Sequence, residues 1–345
     1  MKRPIVRLSS LQLTNIKNVK NGTIYMPNTV NKILSADKAE ILGIYGQNGS
    51  GKTAIVDALY FLQKVMVGAD LDQSLEDYMT IDSDTAEIFA DFNIFMDGIV
   101  FEIGYTLSLS REEKEIVINR EILRSAKNEN GIRTNKTTFM DYQRDQTDVI
   151  FKPQKRLDEI LEANKEIKTD LIVARKMAEK SNCSYIFGES SREIFCREYK
   201  NGFQQFSVII SSLFEFALKD LFVIRNTHSG VISANFVLPM AFRIENDNIG
   251  AKGDFAVPLT EPILVDEERK NLLETIVEQI NIVLYTIIPG LQVTIKNYGK
   301  QSLDNGEEGW KLELMSKREG MKEIPIRMES EGIIKIISIL NALIQ

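Results

Sequence analysis

Residues 43–55 read GIYGQNGSGKTAI, and the fold turns on what those glycines are for. Gly46, Gly51, Lys52 and Thr53 satisfy the pattern G-x-x-x-x-G-K-[ST], with Asn48, Gly49 and Ser50 filling the loop. Glycines let the backbone fold tightly enough for successive N–H groups to point inward at phosphate oxygens. A helix that follows adds its unpaired N-terminal N–H groups and the positive end of its dipole to the same anion. Lys52 would neutralise the β- and γ-phosphates, and the Thr53 hydroxyl would ligate Mg²⁺. The flanks fit that reading. AEILGIY at 39–45 is a short apolar run ending near a glycine, which predicts a buried strand. From Thr53 to about Val67 the period becomes helical, with Ile55, Val56, Leu59, Leu62 and Met66 expected on one face. The stretch predicts a loop between strand and helix that grips ATP with Mg²⁺.

Outward from the loop, residues 5–14 and 23–26 read as strands. Residues 87–109 alternate with period two. Ile88, Ala90, Phe92, Ile94 and Met96 lie on one side, Asp97-Gly98 marks a hairpin turn, and Phe101, Ile103, Tyr105, Leu107 and Leu109 resume the alternation. A third strand follows at 116–118 or slightly beyond, giving an antiparallel meander with one buried face. The pattern then turns helical from about 155 to 223. A strand at 231–239, a helix from Asp266 to about Ile287 stopped by Pro289-Gly290, and three strands in LQVTIKNY, GWKLELMS and EIPIRM complete the chain before a strongly apolar final helix, EGIIKIISILNALIQ. The implied organisation is 1–154 with the loop and meander, 155–225 as a helical insertion, and 226–345 ending in that helix.

Composition excludes several classes. The chain has 345 residues, 43% apolar and 26% charged, as in ordinary globular domains. No apolar run reaches the roughly 18–20 residues of a membrane helix, and the start is not a secretory signal. This makes the cytoplasm the default location and leaves no membrane partner. Cys183 and Cys196 have neither disulfide nor zinc spacing, and His228, in a turn-like RNTHSG, cannot complete a metal cluster with them. The net charge of −7 neither demands nor forbids nucleic acid. The densest basic cluster, KPQKR at 152–156, reads as a solvated helix start.

Three kinds of phosphate-loop protein compete. A guanine-specific enzyme would carry N-K-x-D, and NKIL at 31–34 and NKTT at 135–138 lack its aspartate. A nucleotide kinase would need a lid with arginines near the phosphates, and nothing here points to one. The third is the ABC-type head, in which a second subunit caps the nucleotide. For it, MESEGIIKI at 328–336 places Ser330, Glu331 and Gly332 at the start of an apolar helix. A serine hydroxyl and a glycine N–H at a helix N-terminus make a second anion site.

With LQLTNIKNVKNG at 11–22, YGQNGSGKTAIVDALYFL at 45–62, the meander closing in INREIL and ESEGIIKIISILNALI at 329–344, the chain resembles the AAA-type ATP-binding proteins of the ABC/SMC-like group, including RecF and the overcoming-lysogenization-defect ATPases. The resemblance implies an α/β fold of the ABC-ATPase head type with an antiparallel β lobe and an inserted helical segment. It also implies a homodimer closed around ATP with Ser330 and Gly332 acting in trans, DNA or an effector protein as further partners, and work in DNA repair or anti-phage defence. The alternative is a non-hydrolysing, nucleotide-sensing scaffold for an effector such as a nuclease.

In that family a strand ending in Asp-Glu follows the signature helix. Here the sequence ends at Gln345 without one, so a truncated chain is expected, one that binds ATP more readily than it hydrolyses it. PILVDEE at 262–268 offers Asp266-Glu267 in the wrong order for the family, and it reads better as the cap of the next helix.

Overall fold

The structure is a computed structural model. It describes residues 3–71, 78–112, 115–144, 166–197, 204–221, 237–241, 254–259, 261–303 and 308–344, with residues 146, 158, 223 and 306 between them. His228 and the KPQKR cluster lie outside the described residues, as does the side chain of Cys196. The chain divides into two compact units, 1–223 and 224–345.

The first unit is built on antiparallel strands β1 (Ile5–Ile16), β2 (Val19–Tyr25), β3 (Thr85–Met96), β4 (Ile99–Glu112), β5 (Glu115–Glu129), β6 (Ile132–Arg133) and β7 (Thr137–Gln143). They form one sheet ordered β2-β1-β3-β4-β5-β6, with β7 also paired to β5. Between β2 and β3 lie α1 (Pro27–Val30) and α2 (Lys52–Met66), and after β7 come α3 (Glu166–Ser181), α4 (Glu189–Arg197) and α5 (Gln204–Glu215), the last continued by a π-helical turn over Phe216–Asp220.

Register explains why the meander is stable. Ile88 faces Leu107, Ala90 faces Tyr105, and Phe92 faces Ile103 across β3 and β4, so their side chains share one face. Leu11 and Leu13 of β1 extend that row opposite Ala90 and Ile88. Asp97 (φ 47°) and Gly98 (φ 81°) turn the hairpin with both residues left-handed, which matches the strands' own twist. The apolar face shares one core with Phe61, Leu62 and Val65 of α2, Ile167 and Leu171 of α3, and Phe206 and Ile209 of α5. The helical segment therefore shares its core with the sheet.

Two expectations fail here. The stretch 39–45 is not a buried strand. It has no regular structure, and Ile41 and Tyr45 are 92% and 93% exposed. Apolar content makes a strand only where a neighbour supplies hydrogen bonds and cover, and among the described residues none pairs with it. The expected face of α2 fails in part. Leu62 and Met66 are buried as expected, but the buried face runs on through Ala54, Ala58, Phe61 and Val65, while Ile55, Val56 and Leu59 are only half-buried. The helix carries apolar residues beyond one stripe, so sequence period alone does not fix the rotation of its buried face.

The second unit contains β8 (Val237–Ala241), β9 (Asp254–Pro258), β10 (Ile263–Val265), α6 (Glu267–Ile287), β11 (Leu291–Ser302), β12 (Glu308–Arg318), β13 (Ile324–Pro325) and α7 (Glu331–Ile344). Its larger sheet is ordered β10-β12-β11, with β13 added to β12, and β8 pairs with β9. Leu273, Ile276, Ile280 and Leu284 of α6 share a core with Val293, Leu312 and Leu314 of the sheet and with Ile334, Ile337 and Leu340 of α7. EIPIRM, expected as a strand, is a strand only over Ile324–Pro325, and Ile326–Met328 close into a 3₁₀ turn that leads into α7.

Candidate nucleotide site

The loop preceding α2 has the backbone that its glycines allow. Gly49 (φ 83°) and Gly51 (φ 90°) are left-handed. A Cβ on Gly46 would stand 2.8 Å from Ser50 Oγ, and one on Gly51 would stand 2.5 Å from Val19 Cγ2. Gly51 is the N-cap of α2 and offers no side-chain cap. The first N–H groups of the helix are thus left without a side-chain acceptor, as an anion site requires. Asn48, Gly49, Ser50 and Thr53 are exposed, Lys52 is half-buried and Gly51 is buried.

Lys52 turns back over the loop. Its Nζ donates to the carbonyls of Gly46 (2.8 Å) and Gln47 (2.6 Å). The Gln47 carbonyl also accepts from the Ser50 N–H (3.2 Å). These are neutral carbonyl acceptors on a lysine ammonium, and phosphate oxygens would be stronger ones. The loop's own carbonyls thus engage donors that an anion's oxygens would engage more tightly. A Mg²⁺ ion beside the phosphates would fall to the exposed Thr53 hydroxyl on the first turn of α2. Among the described residues no cluster of three or more His, Cys, Asp or Glu could hold a metal ion.

Three residues to which the sequence reading gave no role tie the β1–β2 turn to this loop and to the helix after it. Lys17, in the β1–β2 turn, pairs with Asp57 of α2, whose side chain is buried (4% exposed). Asn18 Nδ2 donates to the Gly49 carbonyl. Lys17 and Asn18 lie in LQLTNIKNVKNG and Asp57 in YGQNGSGKTAIVDALYFL, and the family resemblance of those stretches is their only signal in the sequence.

In the second unit, Ser330 and Gly332 sit together at the leading end of α7, both exposed. The Ser330 carbonyl accepts the Ile334 N–H (3.1 Å), and open space surrounds the position of a Cβ on Gly332. The residues before them are anchored. Glu329 accepts from Ser316 Oγ (2.5 Å) and Arg318 (2.9 Å) on β12, while Arg327 pairs with Glu313. Glu331 bonds Lys335 one turn on (2.6 Å), which holds its carboxyl below the usual range.

Asp266 is the N-cap of α6, its Oδ1 accepting the Arg269 N–H (2.7 Å). Glu267 receives the indole N–H of Trp310 and the ammonium of Lys270, and the latter bond chiefly holds its carboxyl low. Both acids are occupied in fastening α6, and β10 before them is antiparallel to β12.

No curated protein sequence matches the chain significantly. Among solved structures, the Smc head domain of Pyrococcus furiosus, with an extended coiled coil and bound to the C-terminal domain of ScpA, aligns at 14% identity and a TM-score of 0.33, covering 99% of this chain and 79% of that one. The recombination mediator RecF with ATP aligns at 11% identity and a TM-score of 0.32, covering 99% and 81%. Likeness at this level assigns no residue and no partner. Residues 41–169 match the family described as "AAA domain, putative AbiEii toxin, Type IV TA system". That span opens just before the glycine loop and runs through the meander into α3.

Proposed function

We propose that this chain is the ATP-binding head of an SMC/RecF-like ATPase, in which two copies close around ATP-Mg²⁺ and closure controls a DNA-directed or defence activity. One observation supports it above the rest: an uncapped α2 start beneath a glycine loop whose lysine is turned onto loop carbonyls. Gly46, Asn48, Gly49, Ser50 and Gly51 would wrap the phosphates, Lys52 would neutralise them and Thr53 would hold the metal. Ser330 and Gly332 would cap the γ-phosphate held by the other copy. The exposure of both residues at an anchored helix tip suits that role. The toxin and toxin–antitoxin terms in the matched family's description fit a defence role.

The second reading, a sensing scaffold that holds ATP without turning it over, draws on the engagement of Asp266 in capping α6 and of Glu267 with Trp310 and Lys270. Equilibrium binding of ATP-Mg²⁺ and sedimentation test the main proposal together. Losing a charge-assisted contact costs about 1.5–3 kcal/mol, so Lys52→Ala is expected to weaken ATP binding about tenfold to a hundredfold. Ser330→Arg is expected to bind ATP as the parent does yet to stay monomeric where the parent dimerises. Dimerisation that Ser330→Arg leaves intact would remove the trans site. ATP turnover at rates typical of ATPases by the purified chain would count against the scaffold reading.

A further inference from the structure

The phosphate loop is held from outside by the β1–β2 turn. The chain reverses there with Lys17 left-handed (φ 51°). One side of the turn is fixed by backbone and hydroxyl contacts. The Lys17 N–H donates to the Tyr78 carbonyl (2.8 Å), and Thr80 Oγ1 donates to the Lys17 carbonyl (2.7 Å). The side chains of the other side meet the loop and the helix that follows it. Lys17 pairs with Asp57, Asn18 Nδ2 donates to the Gly49 carbonyl, and Val19 occupies the space beside Gly51.

These contacts have a direction. In a trans peptide the C=O and the following N–H point to opposite sides. By drawing the Gly49 carbonyl toward itself, Asn18 turns the Ser50 N–H the other way. That N–H then meets the Gln47 carbonyl (3.2 Å), which Lys52 Nζ also contacts (2.6 Å). Both donors thus converge on one acceptor position, where a phosphate oxygen would take the carbonyl's place. Asn18 itself is exposed, so its amide contributes little to the core and acts chiefly on the loop.

We infer that Asn18 is a positioning residue of the nucleotide site: its side-chain amide presets the Gly49–Ser50 peptide with the N–H aimed at the anion, while the Lys17–Asp57 pair keeps the turn in register with α2. This rests on the loop being an ATP site.

The test uses the full chain with ATP-Mg²⁺ as the probe. It compares the parent with Asn18→Ala, Asn18→Asp and Lys52→Ala, and follows amide hydrogen exchange at 46–53 without nucleotide. Asn18→Ala is expected to bind ATP about three- to tenfold more weakly, as one neutral hydrogen bond is worth. Asn18→Asp is expected to bind more weakly still, because a carboxylate cannot donate and repels the triphosphate. Both should show faster exchange at Ser50 with an unchanged thermal midpoint, a combination that a merely structural role would not give. If a variant melts lower, binding measured well below its midpoint decides in the same way. Parent-like ATP binding by both Asn18 variants while Lys52→Ala is weakened overturns the role of Asn18 and leaves the ATP site standing. A parent chain that binds no ATP overturns both.

Discussion

Glu121 lies on the apolar face of the large sheet, opposite Leu107, and is fully buried. It receives the Tyr105 hydroxyl (2.6 Å), the Ser184 hydroxyl (2.6 Å) and the Tyr185 N–H (2.7 Å), with the Ile186 N–H more distant at 3.4 Å. These donors favour the carboxylate, but removal from water outweighs them and raises its pKa above the ordinary 4.5. The native state therefore holds a proton that the unfolded chain has released between the ordinary value and the raised one. Stability from this group is fully present below the ordinary value and is lost as pH rises through the folded one. Glu121→Gln should remove that slope and cost about 1–3 kcal/mol at neutral pH, because its amide must face a donor. Urea unfolding of parent and variant across pH 4–8 checks this, and parallel pH profiles would contradict it. Residues of this kind leave little trace in sequence. The meander's alternation gives the face of Tyr105, but the partners of Glu121 at 184–186 lie about sixty residues away in a loop. The candidate phosphate loop stands out in the sequence because its pattern is packed into eight consecutive residues, 46–53. Asn18 meets it, and Lys17 meets Asp57 of α2, through tertiary approach, and no local pattern announces that.

At the scale of elements, α7 shows how a helix tip is presented. Its body is buried through Ile334, Ile337 and Leu340, and its leading end is open. Glu329, just ahead of the helix, ties that end to β12 through Ser316 and Arg318. Glu329→Ala would free the tip and leave Arg318 without its partner. A loss of about 1–3 kcal/mol is expected, at the lower end because Arg318 is 39% exposed. ATP-dependent dimerisation should fall more steeply than ATP binding, and Glu329→Gln, which can still accept from Ser316, should recover most of it. Sedimentation with ATP-Mg²⁺ reads this, and parent-like dimerisation by Glu329→Ala would show that the anchor is dispensable. Elements became legible where one face is buried and the turn is marked, as in β3 and β4 about Asp97-Gly98. The same signal was missed at Asn130-Gly131, both left-handed (φ 52° and 81°), where β5 turns back into β6. The stretch 39–45 misled for the opposite reason. Its composition suits a strand, but composition does not supply a pairing partner. With Ile41 and Tyr45 exposed, the segment forgoes about 1.5–3 kcal/mol for each side chain that burial would give.

At the scale of the molecule, two buried clusters with no residue in common lie one in each unit. Sequence reading placed boundaries at changes of pattern, at 154 and 225, whereas contacts join the meander and the helices after it into a single unit ending at 223. Separate cores predict that heating will not be two-state, with a calorimetric enthalpy exceeding the van't Hoff value and two resolvable transitions. ATP-Mg²⁺ at a hundred times its dissociation constant adds about 2.7 kcal/mol to whatever it binds, a rise of roughly 5–10 °C for a unit of this size. If the phosphate loop alone holds the nucleotide, only the first unit's transition should move. If the α7 tip of a second copy also grips the γ-phosphate, the second unit's transition should rise as well, by an amount that grows with protein concentration and vanishes in Ser330→Arg. Calorimetry at two protein concentrations separates these outcomes. A single peak obeying two-state thermodynamics would show the cores to be energetically one. An ATP-induced shift confined to the first transition at every concentration would leave the loop as a nucleotide site and take the trans role away from Ser330 and Gly332.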